Sequence, residues 1–172
     1  FIPASDKYDV RILRDTWGVP HIFGKTDADA AYGLGYAHCE DDWTYMEDAI
    51  LTARAELAAK SGREWAKFDY LVHWFKIREF TEERYDTWLG PELRAIAEGY
   101  AEGITHFAAS HPEKMPYLRL PVTGKDVIAG VLIKAPFFYE LQDALLRMMD
   151  GSKGMVGKEG MVVLRAMQDN PF

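Results

Sequence analysis

Residues 26–62 read TDADAAYGLGYAHCEDDWTYMEDAILTARAELAAKSG, and their periodicity decides the fold class. Apolar residues recur there at alternating gaps of four and three, the spacing that places side chains on one face of an α-helix. The stripe consists of Tyr32, Tyr36, Cys39, Trp43, Met46, Ile50, Ala53 and Leu57. Thr26 is a suitable N-cap and Gly62 a suitable C-cap. The pattern predicts one continuous helix over residues 27–60.

Two short extended segments precede this helix, at residues 8–13 and 22–23. Gly18, between them, has the conformational freedom that a turn requires. Pro20 fixes its own φ angle and favours extended geometry at Val19. The sequence therefore predicts an N-terminal β-hairpin. Gly33 and Gly35, near the start of the helix, each lower helix propensity, so we expect them to allow close backbone packing.

The rest of the chain also has helical patterns. A helix is predicted over residues 69–88, another from Pro91 to about His111, and a third after the capping sequence at residues 123–126. Pro136 is expected to interrupt the third, and a short helical stretch follows at residues 140–150. We therefore predict a mostly α fold with a short N-terminal β-hairpin: a helical domain over residues 1–150, and a glycine-containing C-terminal tail over residues 151–172.

Composition excludes several classes of protein. The 172 residues carry a net charge of −7 and are 48% hydrophobic, which excludes a disordered chain. A single cysteine excludes a disulfide-stapled scaffold. No apolar run approaches the roughly 20 residues that a membrane span needs. The sequence also has no basic stripe with interleaved aromatic residues, so we do not expect nucleic acid as a partner.

The densest group of chemically active side chains is residues 38–42, HCEDD. Consecutive helical residues point in different directions, so this group is a poor metal site and a poor Cys–His catalytic pair. Cys39 lies on the apolar stripe and is expected to be a buried thiol. Gly33 and Gly35 lack the third glycine of a dinucleotide-binding loop. The adjacent carboxylates at 41–42 and 82–83 are expected to be solvated.

Pro136 is followed by Phe137, Phe138 and Tyr139. A proline in an apolar helix bends it, and three aromatic side chains at the bend could form the wall of an apolar pocket. Ordinary core packing explains the same residues, and the residue pattern alone favours it. No complete set of catalytic residues is evident in this chain.

Two stretches together carry a family resemblance. Residues 14–22 read RDTWGVPHI, and residues 32–42 read YGLGYAHCEDD, continuing to TARAELA at residues 52–58. The joint pattern resembles the α subunit of the penicillin acylase family. The members of this family are N-terminal-nucleophile amide hydrolases. The TARAE segment is more similar to the branch of acyl-homoserine lactone acylases and aculeacin A acylases. Cys39 and the Asp42–Trp43 pair depart from the residues that are usual in the family.

The resemblance implies a heterodimer with the αββα fold of N-terminal-nucleophile hydrolases. Such enzymes are made as one precursor, and autocatalytic cleavage frees a larger β chain whose first residue, usually Ser, is the nucleophile. This chain begins with Phe1, so no catalytic residue is expected in it. The resemblance further implies a periplasmic or secreted zymogen that acts on an N-acylated small molecule: an acyl-homoserine lactone, an acylated amino acid or lipopeptide, or a β-lactam.

In that family a bent helical stretch late in the α subunit lines the acyl pocket. Its position corresponds here to Phe137, Phe138, Tyr139 and Leu141, which become the candidate substrate-binding residues. Some relatives bind calcium through one glutamate of the α subunit, and Glu140 lies near the expected place. No other cofactor is implied. We further expect Gly18, Pro20 and His21 to be architectural, and Arg14 and Arg54 to anchor buried ion pairs.

Two other interpretations remain open from the residues alone. One is a stand-alone helical binding domain for an apolar ligand or protein partner. The other is a single-chain metal hydrolase that uses His38 and Asp41.

Overall fold

The computed structural model describes residues 7–138, and the side chains of residues 7–135. They belong largely to the compact unit Phe1–Ile133. The strands are β1 (Val10–Arg14) and β2 (Pro20–Gly24). The helices are α1 (Asp27–Ala53), α2 (Leu57–Ser61), α3 (Ala66–Trp74), α4 (Ile77–Trp88), α5 (Pro91–Ser110) and α6 (Gly124–Phe138), with a 3₁₀ turn at Arg63–Trp65. The predicted mostly α fold with an N-terminal hairpin is confirmed.

The hairpin packs against the start of α1. β1 and β2 are antiparallel, with Val10 opposite Gly24 and Arg14 opposite Pro20. A Cβ atom on Gly33 would lie 2.6 Å from Cγ2 of Val10 and 2.8 Å from Cγ2 of Ile22. Only a glycine therefore allows the helix to approach the sheet this closely. Close packing at Gly33 was predicted and is confirmed.

Helices α1 and α5 form the centre of the fold. A Cβ on Gly35 would lie 2.2 Å from the backbone oxygen of Tyr100, and one on Gly103 would lie 2.1 Å from that of Tyr32. The two backbones are therefore in direct contact. Around this contact lies the core: Tyr36, Cys39, Met46, Ile50, Ala101, Ile104, Phe107, Ala108, Met115, Leu118 and Val122. The predicted apolar stripe of α1 is buried or half-buried along its length.

The prediction of one continuous helix over residues 27–60 is wrong. The Thr26 N-cap is confirmed, since its hydroxyl accepts a hydrogen bond from the N–H of Asp29. However, α1 ends at Ala53, Ala55 has a φ of 58°, and α2 then begins. The free N–H groups of Leu57 and Ala58 at the start of α2 donate to the carboxylate of Asp69, at 2.9 and 3.0 Å. A cap from another helix therefore stabilises the break.

The other helices differ in how well the sequence predicted them. The predicted helix 69–88 is two helices, separated at Lys76 with a φ of 52°. Helix α5 and the capping sequence before α6 are confirmed. The prediction that Pro136 interrupts the helix is wrong: α6 continues through Pro136 to Phe138, although a proline removes one backbone hydrogen bond of a helix. The predicted helical stretch at 140–150, the domain boundary at 150 and the tail lie outside the described residues.

A buried carboxylate, which the sequence did not predict, connects α1 to two other segments of the chain. Glu47, on α1, is completely buried. Its Oε1 accepts a hydrogen bond from the N–H of Tyr117 at 2.9 Å, and Lys60 Nζ lies 2.7 Å from its Oε2. Glu47 therefore links α1 to α2 and to the loop before α6. In the described part of the chain, no helix has the length and apolar character to cross a membrane.

Candidate functional site

The predicted substrate-binding residues lie at and beyond the end of α6. Phe137 and Phe138 form its last two positions. Their side chains, and the whole of Tyr139, Glu140 and Leu141, lie outside what the structure describes. The acyl-pocket and calcium roles of these five residues therefore stay predictions.

At its other end, α6 begins with a first turn that a buried ion pair holds in place. Arg54 Nε lies 3.0 Å from Asp126 Oδ1, and Arg54 Nη2 lies 2.9 Å from Asp126 Oδ2. Their side chains are only 10% and 3% exposed. Arg78, on α4, contributes Nη1 at 2.8 Å from the same Oδ1. The prediction that Arg54 anchors a buried ion pair is confirmed.

The Arg54 side chain connects three segments of the chain. Residue Arg54 is the C-cap of α1, and its side chain donates to the backbone oxygens of Arg119 and Pro121 at 2.6 and 2.9 Å. Asp126 in turn accepts from the N–H and hydroxyl of Thr123, at 2.9 and 3.0 Å, which closes the cap of α6. The network therefore joins the end of α1, the loop before α6 and the first turn of α6.

The electrostatics of this network favour the ionised carboxylate. Burial by itself raises the pKa of Asp126, because it penalises the charged form. The hydrogen bonds from Arg54 and Thr123, together with Arg78, outweigh burial and lower the pKa to about 2. The ordinary value is 3.8. Asp126 is thus a stabilised anion and not a candidate general acid at neutral pH.

This shift predicts an acid-dependent loss of stability. Because the folded pKa lies below the unfolded one, the contribution of Asp126 is complete above about pH 4 and is lost as the pH falls through about 2. At 1.36 kcal/mol per pKa unit, it amounts to about 2 kcal/mol. Urea titrations at about pH 5 and about pH 2 measure it. Asp126→Asn is expected to lose less stability than the unsubstituted protein over this range. An identical loss in both would contradict the assignment.

A charged cleft of about 670 Å³ opens beside the ion pair. It is lined by Arg54, Glu56, Arg78, Glu82, Glu98, Arg119, Thr123, Lys125 and Asp126. Its charged groups are engaged: Arg119 pairs with Glu56, and Lys125 pairs with Glu82. Glu98 accepts a hydrogen bond from the neutral hydroxyl of Tyr85 at 2.8 Å. The arrangement holds helices together. The Thr123 hydroxyl does donate to the Asp126 carboxylate, but Arg54 and Arg78 stabilise that carboxylate as an anion, which makes it a weak base.

Arg14 differs from the expectation of a buried pair. It lies 2.9 Å from Glu40 and 2.7 Å from Asp41, but its side chain is 31% exposed. Its Nη1 also donates to the backbone oxygen of Gly18 at 2.8 Å. Arg14 therefore attaches the hairpin turn to α1 at the surface, because the carboxylates that it meets are on the solvent-facing side of that helix.

The dense group at residues 38–42 is not assembled as a site. Cys39 is completely buried, and burial raises the pKa of its thiol to about 12, so it is protonated at neutral pH. His38 Nδ1 lies 2.8 Å from the hydroxyl of Tyr100, and Asp41 is engaged by Arg14. Among the described residues no group of three or more His, Cys, Asp or Glu could hold a metal ion. The metal-hydrolase interpretation therefore has no support in this part of the chain.

Several known proteins are similar to this chain in sequence. A penicillin acylase 2 proenzyme from Pseudomonas sp. (strain SE83) is 34% identical over 101 residues, which are 59% of this chain and 13% of the relative. The acyl-homoserine lactone acylase QuiP from Pseudomonas fluorescens is 29% identical over 108 residues, 63% of this chain and 13% of the relative. Penicillin G acylase from Escherichia coli is 29% identical over 96 residues, which are 56% of this chain and 11% of the relative.

The fold is also found among solved structures. A thermostable penicillin G acylase from Alcaligenes faecalis superposes with a TM-score of 0.64 at 22% identity, over 93% of this chain and 91% of the matched chain. The present chain spans about one eighth of the length of the curated relatives. The sequence model of the penicillin amidase family matches residues 9–150. Since that match covers most of the chain, including both motif stretches and all of the described helices, the chain belongs to the penicillin amidase family.

Proposed function

We propose that this chain is the α chain of a two-chain acylase, an amide hydrolase that removes an acyl group from an amine. The observation that carries the proposal is the family match over residues 9–150. The name of one relative, a proenzyme, agrees with synthesis as a precursor. In the solved penicillin G acylase the same fold makes up nearly all of one chain, which is consistent with a separate α chain here.

The chemistry would come from the larger β chain. Its N-terminal residue, usually Ser, would attack the amide carbonyl, with its own α-amino group as the base. The C–N bond breaks, the amine leaves with a proton, and water then hydrolyses the acyl-enzyme to the free acid. Backbone N–H groups of that chain would stabilise the oxyanion. We assign none of these steps to the described residues of the present chain.

The α chain would contribute binding. Phe137, Phe138, Tyr139 and Leu141 are proposed to contact the acyl group, because burying apolar surface yields about 25 cal/mol per Å². The Arg54–Asp126 ion pair fixes the first turn of the helix that ends in Phe137 and Phe138. A calcium ion held by Glu140 and a periplasmic or secreted location are further parts of this proposal.

The substrate would be an N-acyl compound. The named activities of the relatives are penicillin acylase and acyl-homoserine lactone acylase. Both involve an acyl group attached through an amide, so we propose an acyl-homoserine lactone, an acylated amino acid or lipopeptide, or a β-lactam.

The test is denaturing mass spectrometry of the natively purified protein, with N-terminal sequencing of every chain, followed by assays for free acid released from acyl-homoserine lactones and penicillin G. We expect a second, larger chain that begins with Ser, Thr or Cys, and hydrolysis of at least one of these substrates. A single folded chain without hydrolysis would overturn the proposal and favour the helical binding domain instead.

Phe138→Ala tests the binding role in the same active protein. Loss of an apolar contact made equally in the ground and transition states raises KM and leaves kcat nearly unchanged. We expect KM to rise about tenfold or more for the preferred acyl chain, from the burial free energy of a phenyl group. Leu93→Ala, which removes an exposed apolar side chain on α5, is the matched control and should leave KM unchanged.

A further inference from the structure

Asp15 takes part in four hydrogen bonds within the turn between β1 and β2. The Asp15 carboxylate accepts from the N–H groups of Trp17 and Val19, at 2.8 and 3.0 Å. The backbone of Asp15 exchanges two more bonds, accepting from Gly18 N at 3.0 Å and donating to Val19 O at 3.2 Å. Gly18 has a φ of 83°, a conformation that favours glycine. The backbone at residues 15–19 is therefore rigidly defined.

The turn is also attached to the body of the molecule. Arg14 donates to the backbone oxygen of Gly18 and forms ion pairs with Glu40 and Asp41 on α1. Asp15 also lies 3.3 Å from Nε2 of His21 on β2. The charged side chains around the turn are thus already engaged with one another. Covering the turn with protein would leave these charges hydrogen-bonded, which reduces the cost of removing water from them.

This rigid turn presents a tryptophan to solvent. Trp17 is 89% exposed, the highest value among the large apolar residues of the described chain. Leu13, Val19 and Phe23 belong to the same hairpin segment and are each about half exposed. A large aromatic side chain on a preorganised backbone loses little conformational entropy on binding, which is the property of an interface hot spot. The hairpin therefore has the features of a docking element.

The size of the relatives indicates what would cover it. The aligned region is only 13% of the length of the first relatives, so a full-length protein of this kind contains several times more polypeptide than this chain. We propose that Trp17 is an anchor that inserts into an apolar pocket of that larger remaining part, the β chain of the proposed function. This inference rests on the proposed function for the identity of the partner.

The experiment is hydroxyl-radical footprinting of the complete, natively purified protein, read by mass spectrometry at Trp17. The oxidation rate is compared with that of the same residue after unfolding in urea. We expect oxidation of Trp17 to be lost in the native protein and restored on unfolding. Oxidation at the unfolded rate would overturn the proposal. So would protection that is lost on dilution while the larger chain stays bound, because it would indicate a second copy of this chain as the occupant.

A pair of variants gives an independent measurement. Trp17→Ala is expected to weaken association with the larger chain about 30-fold, the effect of losing one hot spot, and Trp17→Phe should retain most of the affinity. The turn should fold in both, because its hydrogen bonds come from the backbone, Asp15 and Arg14. Unchanged association in Trp17→Ala would overturn the anchor.

The two proposals can fail separately. Footprinting reads the position of Trp17 and does not depend on activity. A protected Trp17 in a protein that hydrolyses no N-acyl compound would contradict the acylase function and support the anchor. An active acylase in which Trp17 is freely oxidised would contradict only the anchor.

Discussion

Asp126→Ala is expected to lower the free energy of unfolding by about 3–5 kcal/mol, the range for breaking a buried ion pair from one side. The substitution leaves Arg54, whose side chain is 10% exposed, without its carboxylate partner. It also removes the acceptor for both polar groups of Thr123 and therefore the cap of α6. Both effects act in the same direction, since each leaves a buried polar group unsatisfied.

Urea unfolding followed by circular dichroism measures this change. Asp86→Ala is the matched control, because Asp86 also pairs with an arginine, Arg94, at 3.2 Å, but its side chain is 73% exposed. An exposed pair contributes little, so the control should change stability by less than about 1 kcal/mol. Equal effects of the two substitutions would show that burial of the Arg54–Asp126 pair has no energetic consequence.

Gly103→Ala is expected to destabilise the fold by about 3 kcal/mol, the upper part of the usual range for overpacking. The added Cβ would lie 2.1 Å from the backbone oxygen of Tyr32 and 2.9 Å from the backbone N of Tyr36. Both neighbours are main-chain atoms of α1, so no side chain can rotate away. Helices α1 and α5 would have to separate, and the core between them would loosen.

Gly130→Ala on α6 is the control for helix propensity. A Cβ there would have Ala53 Cβ as its neighbour at 3.9 Å, which is ordinary van der Waals contact. Alanine is the better helix former, so this variant is expected to gain up to about 1 kcal/mol. Opposite signs for the two glycine substitutions, measured by the same urea titration, would separate packing from propensity. A stabilised Gly103→Ala variant would contradict the close approach of α1 and α5.

The sequence correctly predicted the features that are encoded by residues close to one another in the chain. The apolar stripe, the Thr26 cap and the turn at Gly18 each depend on residues within a few positions of one another. The motifs at residues 14–22 and 32–58 were specific enough to predict the family. For the site, the cap at Thr123 and the pairing of Arg54 were predicted, but the partner Asp126 was seen only as a capping residue and Arg78 was missed.

By itself, the sequence determined the helical class, the hairpin, the buried face of α1 and the family, because each is encoded by spacing along a short segment. Only the tertiary structure decided where α1 ends and what holds α6. The periodicity continues from Ala53 to Leu57, but Asp69 caps a new helix at Leu57 and Arg54 reaches Asp126, 72 positions away. Such partners are selected by the packing of distant helices, where an unpaired buried charge is too costly to leave.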